Sequence, residues 1–284
     1  MTSRRPNLAL TILIYLGLIV LCAVVLYPVM LVLKKAIEPG RQFALSASPF
    51  PTTITDDNFR ELFTTRGAGG ELLFLHHAIN SVIVALLTTV VGVTVSCTAA
   101  YALSRFKFPG RATGLTMFLV VQMFPATLLL LPLYVILNNL GLLNSIAGLV
   151  LVYATTAIPF CVWTLKGYFD SLPRELEEAA RIDGASPWMI FVKIILPLSR
   201  PALSVTALFS FMTAWNEFIM ASTFMTNQTK YTLPVLIQST ATEFSANYGL
   251  FAAGAVITSV PVMVAFYVLQ KYLVGGLTAG AVKG

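Results

Sequence analysis

With 284 residues, 57% of them hydrophobic and only 11% charged, and a mean hydropathy of +0.83, the chain is too apolar for a water-soluble domain. The surface of such a domain carries roughly a quarter charged residues. The net charge of +6 does not mark a nucleic-acid binder, because the basic residues neither cluster on one face nor alternate with exposed aromatics.

An integral membrane protein remains. Crossing the hydrocarbon core takes about 20 apolar residues as a helix, and six stretches are predicted to do so: 8–33, 80–104, 113–136, 145–166, 201–223 and 250–270. The first follows Arg4-Arg5 but is too long for a signal-peptide core and lacks an A-x-A cleavage site, so it is expected to stay as an anchor. Residues 36–77 carry mixed charge, three prolines (Pro39, Pro49 and Pro51) and a glycine-rich turn, and read as a connection with short helices. At its end, His76 and His77 adjoin each other at a membrane boundary and read as interfacial.

In the second span Gly92, Ser96 and Ala100 recur every four residues, a spacing that lets helix backbones approach closely in lipid; Ala255 and Ser259 repeat it in the sixth. Pro28, Pro125, Pro132, Pro159 and Pro261 lie inside spans, where each removes a backbone donor and favours a kink. Cys22, Cys97 and Cys161 also lie in spans and read as small apolar packers, neither disulfides nor metal ligands. In the fifth span Glu217 is the exception, since a carboxylate in the bilayer costs a few kcal/mol on translocon scales. Asn216 and Glu217 either line an aqueous path, or Glu217 makes a structural hydrogen bond to a partner helix or snorkels towards water.

With both termini placed in the cytoplasm, twelve of the 18 Lys and Arg residues fall inside, among them Arg105, Lys107 and Arg111 in one short loop. This is the bias that the positive-inside rule requires. Lys34-Lys35, directly beyond the first span, runs against it.

The segment between the fourth and fifth spans, 171–200, is unlike its surroundings. On a helical wheel Leu172, Leu176, Ala179 and Ala180 share one face, and Arg174, Glu177, Glu178 and Arg181 the opposite one. Arg174 with Glu178, and Glu177 with Arg181, are four apart and are expected to pair at about 0.2–0.5 kcal/mol each. Gly184 is predicted to stop this helix, and Ser186 as N-cap with Pro187 as first residue to start a second, which ends before Pro197. The result is a stiff helix-turn-helix knob set between two membrane anchors.

Glu178-Ala179-Ala180, Gly184 six residues after the Glu, and Ile194-x-Leu196-Pro197 ten residues after that Gly resemble the hallmark loop of permease subunits in binding-protein-dependent ABC importers. The segment from Ala100 to Gly110, Met123-Phe124-Pro125, the segment from Trp163 to Phe169, and the tail from Gly276 to Gly284 are similar to the sugar-transporting, MalG-like branch. The resemblance implies an all-α subunit of six transmembrane helices with a cytoplasmic coupling loop, part of the path for a sugar or oligosaccharide of maltose/maltodextrin or trehalose type. It implies as partners a second, different permease, two ATPase subunits and an extracytoplasmic sugar-binding protein. Arg181 and Asp183 lie within the implied coupling site; Glu178 is expected to meet a basic residue of an ATPase, and Ala281, Val282, Lys283 and Gly284 to reach between the two ATPases. The outer connection of spans five and six, about 225–247, is implied to probe the binding protein.

The sequence contains no G-x-x-x-x-G-K-[ST] phosphate cradle. ATP and its Mg2+ are therefore expected on the partner subunits, with no catalytic, cofactor or metal site in this chain. Two other classes stay open on the residues alone: an ion-coupled secondary transporter, which usually carries internal repeats and several intramembrane ionisable residues, and a non-transporting membrane scaffold.

Overall fold

A computed structural model describes residues 8–42, 48–67, 69–241 and 246–281, and among them the regular structure is helical apart from one isolated antiparallel bridge between Arg66 and Leu72. In chain order the helices are α1 (Leu8–Ile37), α2 (Asp57–Thr64), α3 (Leu73–Arg105), α4 (Arg111–Met123), α5 (Leu130–Asn139) and α6 (Ile146–Ser171), followed by α7 (Glu175–Ile182), α8 (Pro187–Ile190), α9 (Leu196–Leu198), α10 (Arg200–Trp215), α11 (Ile219–Phe224), α12 (Leu233–Ser239) and α13 (Tyr248–Ala281). Among the described residues four helices, α1, α3, α6 and the Tyr248–Tyr272 part of α13, are long and apolar enough to cross a bilayer. This is an all-α membrane protein.

The chain divides into two compact units. In the first, Asn58 of α2 donates from Nδ2 to the carbonyls of Ala36 and Glu38 at 3.0 Å, and Ala36 packs with Ala252, Ala253 and Phe59. The two lysines that run against the charge bias are held here. Lys34 Nζ donates to the Ser48 carbonyl at 2.8 Å and lies 3.9 Å from Glu38, while Lys35 Nζ donates to the Gly40 carbonyl at 2.9 Å.

The second unit is built on α3, α6 and α10, whose mutual packing forms its core. The small-residue stripe of α3 is what admits the neighbours. Gly92, Ser96 and Ala100 are all buried, Ser96 Oγ donates to the Ile158 carbonyl at 3.3 Å, and a Cβ on Gly92 would stand 3.3 Å from Ser210 Oγ. The second repeat behaves differently: Ala255 is half-buried and Ser259 exposed.

Two of the predicted spans are not single rods. The 113–136 stretch is broken between α4 and the 3-10 turn Ala126–Leu129, and the two halves are bent by 97°. Phe124 has ψ 127, as the clash of a following proline with its backbone demands, and Pro125 has ψ 127 as well, so two extended residues replace a turn of helix. Pro28, Pro159 and Pro261, by contrast, sit inside continuous helices. The 201–223 stretch is α10, a break at residues 216–218, and α11.

Close packing at Gly92 gives the first test. Gly92→Leu forces a branched side chain against Ser210 and should lower the thermal unfolding midpoint of the purified protein, at a cost of about 1–3 kcal/mol for overpacking. An unchanged midpoint would mean that α3 and α10 are not packed this closely.

Candidate functional site

The 171–200 segment folds as a helix, a turn and a second helix, and its local chemistry explains each part. Asp183 N–H bonds the Ala179 carbonyl at 3.1 Å, Gly184 N–H the Arg181 carbonyl at 3.0 Å, and Ala185 N–H the Ala180 carbonyl at 2.9 Å. The last two form a Schellman cap, with Gly184 at φ +85, where a Cβ is disfavoured. Ser186 then caps the second helix, its Oγ accepting from the Met189 N–H, and Pro187 takes the first helical position.

Two expectations for this segment are corrected. The second helix does not end before Pro197; α8 and α9 are continuous through a π turn, Phe191–Ile195, and the chain bends by 79° only at Ser199, before α10. Leu196 N–H reaches back five residues to the Phe191 carbonyl, so the wider turn precedes a proline that has no donor of its own and would crowd the carbonyl four residues earlier. Glu177 does not lie on the solvent face with Glu178. It is 3% exposed, and its carboxylate accepts from Arg105 Nε and, at 3.1 Å, from Tyr101 Oη. The expected pairing with Arg181 is replaced by one with the last residue of α3.

Arg105 ties this corner together. It also donates from Nη1 to Ser104 Oγ at 3.0 Å and from Nη2 to the Leu172 carbonyl at 3.3 Å, while Ser104 Oγ donates to Asp170 Oδ1 at 2.6 Å. Lys166 Nζ holds the other oxygen of Asp170. Behind this polar lattice Tyr101 packs on Phe191 with ring centroids 4.7 Å apart and edge-on to Phe169 at 6.2 Å. Ile190, Phe191 and Ile195 are buried in the same cluster as Leu165 and Phe169. The elbow is therefore seated on the ends of α3 and α6.

Its outer surface is open. Glu178, Ala179, Arg181, Asp183 and Gly184 are exposed, and beside them two large apolar side chains, Ile182 at 87% and Trp188 at 68%, stand in solvent. Ala180 is half-buried against the aromatic cluster; Ile194 and Leu196 are half-buried on the second helix, and Pro197 is exposed. Ala281 is the last residue of α13, and Val282, Lys283 and Gly284 lie outside the described residues.

Asn216 and Glu217 are not brought to this elbow; α10, 16 residues and so about 24 Å long, lies between them and it. Glu217 sits in the break after α10 and accepts from Tyr153 Oη at 2.8 Å and from the Met220 and Ala221 N–H groups at 2.9 and 3.1 Å. Its carboxylate thus satisfies the start of α11 and a tyrosine on α6, while Asn216 is exposed.

A second arrangement was missed in the sequence. Near the start of α3, His77 Nε2 hydrogen-bonds the Gln228 carbonyl at 2.7 Å, His76 Nε2 the Thr229 carbonyl at 2.5 Å, and Asn80 Nδ2 donates to the Thr229 and Tyr231 carbonyls at 3.0 Å. From another side Asn144, in the left-handed region at φ 54, accepts through Oδ1 from the Thr226 and Asn227 N–H groups. The available signal was the i, i+1, i+4 spacing of His76, His77 and Asn80 on a single helix. Among the described residues no group of three or more His, Cys, Asp or Glu side chains could hold a metal.

Residues 92–278, most of the chain and including the whole elbow, match the family described as binding-protein-dependent transport system inner membrane component. The chain belongs to that family. It is 40% identical over 272 residues to the galactooligosaccharides transport system permease protein GanQ of Bacillus subtilis, covering 95% of this chain and 94% of that one. It is 37% identical over 284 residues to the maltodextrin transport system permease protein MdxG of the same organism, covering 100% and 99%. Its fold matches the crystal structure of a bacterial ABC transporter involved in the import of the acidic polysaccharide alginate, with a TM-score of 0.76 at 23% identity over 96% of this chain and 99% of that one. As a member of this family the chain is an ABC-type permease component, which sets aside the scaffold and ion-coupled classes.

The Schellman cap can be tested directly. Gly184→Val places a β-branched residue at positive φ, a strain of about 1–2 kcal/mol or more. Faster tryptic cleavage after Arg181 in the detergent-purified protein is expected, with cleavage elsewhere unchanged. Equal rates would show that the turn does not need this glycine.

Proposed function

We propose that the chain is the permease subunit of an ATP-driven ABC importer, forming part of the path for a sugar or oligosaccharide of the maltodextrin, trehalose or galacto-oligosaccharide kind. The reading rests on family membership and on sugar permeases among the relatives, GanQ and MdxG. Six spans follow if α4 with α5, and α10 with α11, each serve as one broken crossing. Both termini and the 171–200 elbow then face the cytoplasm.

One observation carries the coupling role: an elbow braced from behind by buried contacts presents Glu178, Ala179, Ile182 and Trp188 outward. An exposed apolar tip flanked by a carboxylate is what a protein groove with a basic residue would accept. The partners are two ATPase subunits, which bind ATP and Mg2+ and grip the elbow at Glu178–Gly184 and along Ile194, Leu196 and Pro197. The tail from Ala281 to Gly284 reaches between them. A second permease completes the path, and an extracytoplasmic sugar-binding protein delivers the cargo near residues 225–247. Hydrolysis of ATP belongs to the partners, not to this chain. Asn216 and Glu217 border the path at the break after α10, where the cap on α11 fixes the carboxylate.

Glu178→Arg reverses the charge at the tip without touching the buried face. Sugar uptake by proteoliposomes holding the whole transporter should fall by at least about tenfold, a loss of the size seen when a charged interface contact is reversed. Undiminished uptake would contradict the role.

A further inference from the structure

The adjacent glutamates Glu177 and Glu178 are separated by about 100° on α7, and the fold gives them opposite surroundings, one buried and one exposed. Burying a charged pair to fasten one helix to another is a poor way to gain stability, since well-packed apolar side chains serve as well or better. What a guanidinium offers instead is directional grip: Arg105 simultaneously holds Glu177, Ser104 Oγ and the Leu172 carbonyl, and only its planar fork of donors reaches all three.

The helix that ends in Arg105 is itself unusual. Of the four helices long enough to cross a membrane, α1, α6 and α13 contain Pro28, Pro159 and Pro261, whereas α3 contains no proline over its 33 residues. A proline-free helix of that length is a stiff rod of about 50 Å. At its other end His76, His77 and Asn80 hold the carbonyls of residues 228, 229 and 231, and one residue further on Ser81 Oγ accepts from the Leu233 N–H at 2.7 Å. Both ends of one rod are thus fastened by side-chain bonds: one to α7, the other to the connection between α11 and α12.

We propose that α3 is the push rod of the importer: Glu177 and Arg105 fasten it to the elbow, and His77 and Asn80 fasten it to the 228–231 connection, so that displacement of the elbow reaches that connection through a single helix. These four are positioning residues, acting through α3 and touching neither nucleotide nor sugar. The proposal rests on the coupling role assigned to the elbow.

The test uses the complete transporter with its binding protein in proteoliposomes and reads ATP hydrolysed per sugar imported, a ratio that a loss of folded protein alone would not change. Glu177→Leu with Arg105→Met removes both charges together and leaves no lone buried ion. Asn80→Leu with His77→Leu removes both of the proposed fasteners at the other end. Each should raise the ratio roughly 2- to 30-fold, the span of coupling changes along such connections. Wild-type ratios in both would overturn the proposal. If the first double variant fails to co-purify with its partners, Arg105→Lys decides: it keeps the charge but loses the fork, and a wild-type ratio there also overturns the proposal, while a raised one supports it. Failure of the parent reading is distinguishable, because Glu178→Arg would then leave uptake intact. If Glu178→Arg abolishes uptake and the α3 variants keep the wild-type ratio, the push rod alone is refuted.

Discussion

A carboxylate and a guanidinium, both almost wholly shielded from solvent, meet where α7 crosses the end of α3. An eight-residue helix such as α7 has too few internal hydrogen bonds to persist alone in water. Its position comes from Glu177 on Arg105 and Tyr101, from the Schellman cap at Gly184, and from Phe191 and Ile195 of the following helix packed on α3 and α6. Removing either charge alone would strand the other, at about 3–5 kcal/mol, so the elbow is fixed or lost as a unit. The coupling role proposed for the tip would require such seating.

Local signals are legible in the sequence, and long-range ones are not. Ser186, Pro187 and Gly184 act within four residues of themselves, through capping and backbone preference, and each does in the structure what its chemistry dictates. A helical wheel puts Glu177 on the solvent face because it separates polar from apolar residues, and nothing in it reveals that Arg105, 72 positions earlier, meets the carboxylate on that polar side. Pro197 predicts a stop, yet the π turn before it absorbs the missing donor and the helix runs on to Leu198. Glu217 stood out as a charge in an apolar run, but the break in that run, and the Tyr153 hydroxyl that meets the carboxylate, depend on a neighbouring helix. His76 and His77 read as interfacial, and their fastening role with Asn80 is not legible because the partners are backbone carbonyls, which carry no sequence signature.

Polar side chains in this apolar chain are spent mainly on fastening. Asn58 holds the end of α1, Asn144 and Asn80 hold the connection between α11 and α12 from two directions, and Ser104 with Asp170 joins α3 to α6. In lipid, where apolar burial gives helices little reason to associate, such bonds and the close approach at Gly92 fix geometry. The proposed coupling then needs no reactive group: a stiff subunit gripped at the elbow would convert the closing of separate ATPases into helix movement.

Cysteine cross-linking at Ala179 examines that claim most directly. With Cys22, Cys97 and Cys161 replaced, Ala179→Cys in inverted membrane vesicles should form a cross-link to an ATPase subunit that bound nucleotide alters, and a membrane-impermeant thiol reagent should reach it from the cytoplasmic face alone. Labelling of Ala179→Cys from outside intact cells, or no cross-link to an ATPase in any nucleotide state, would contradict the account.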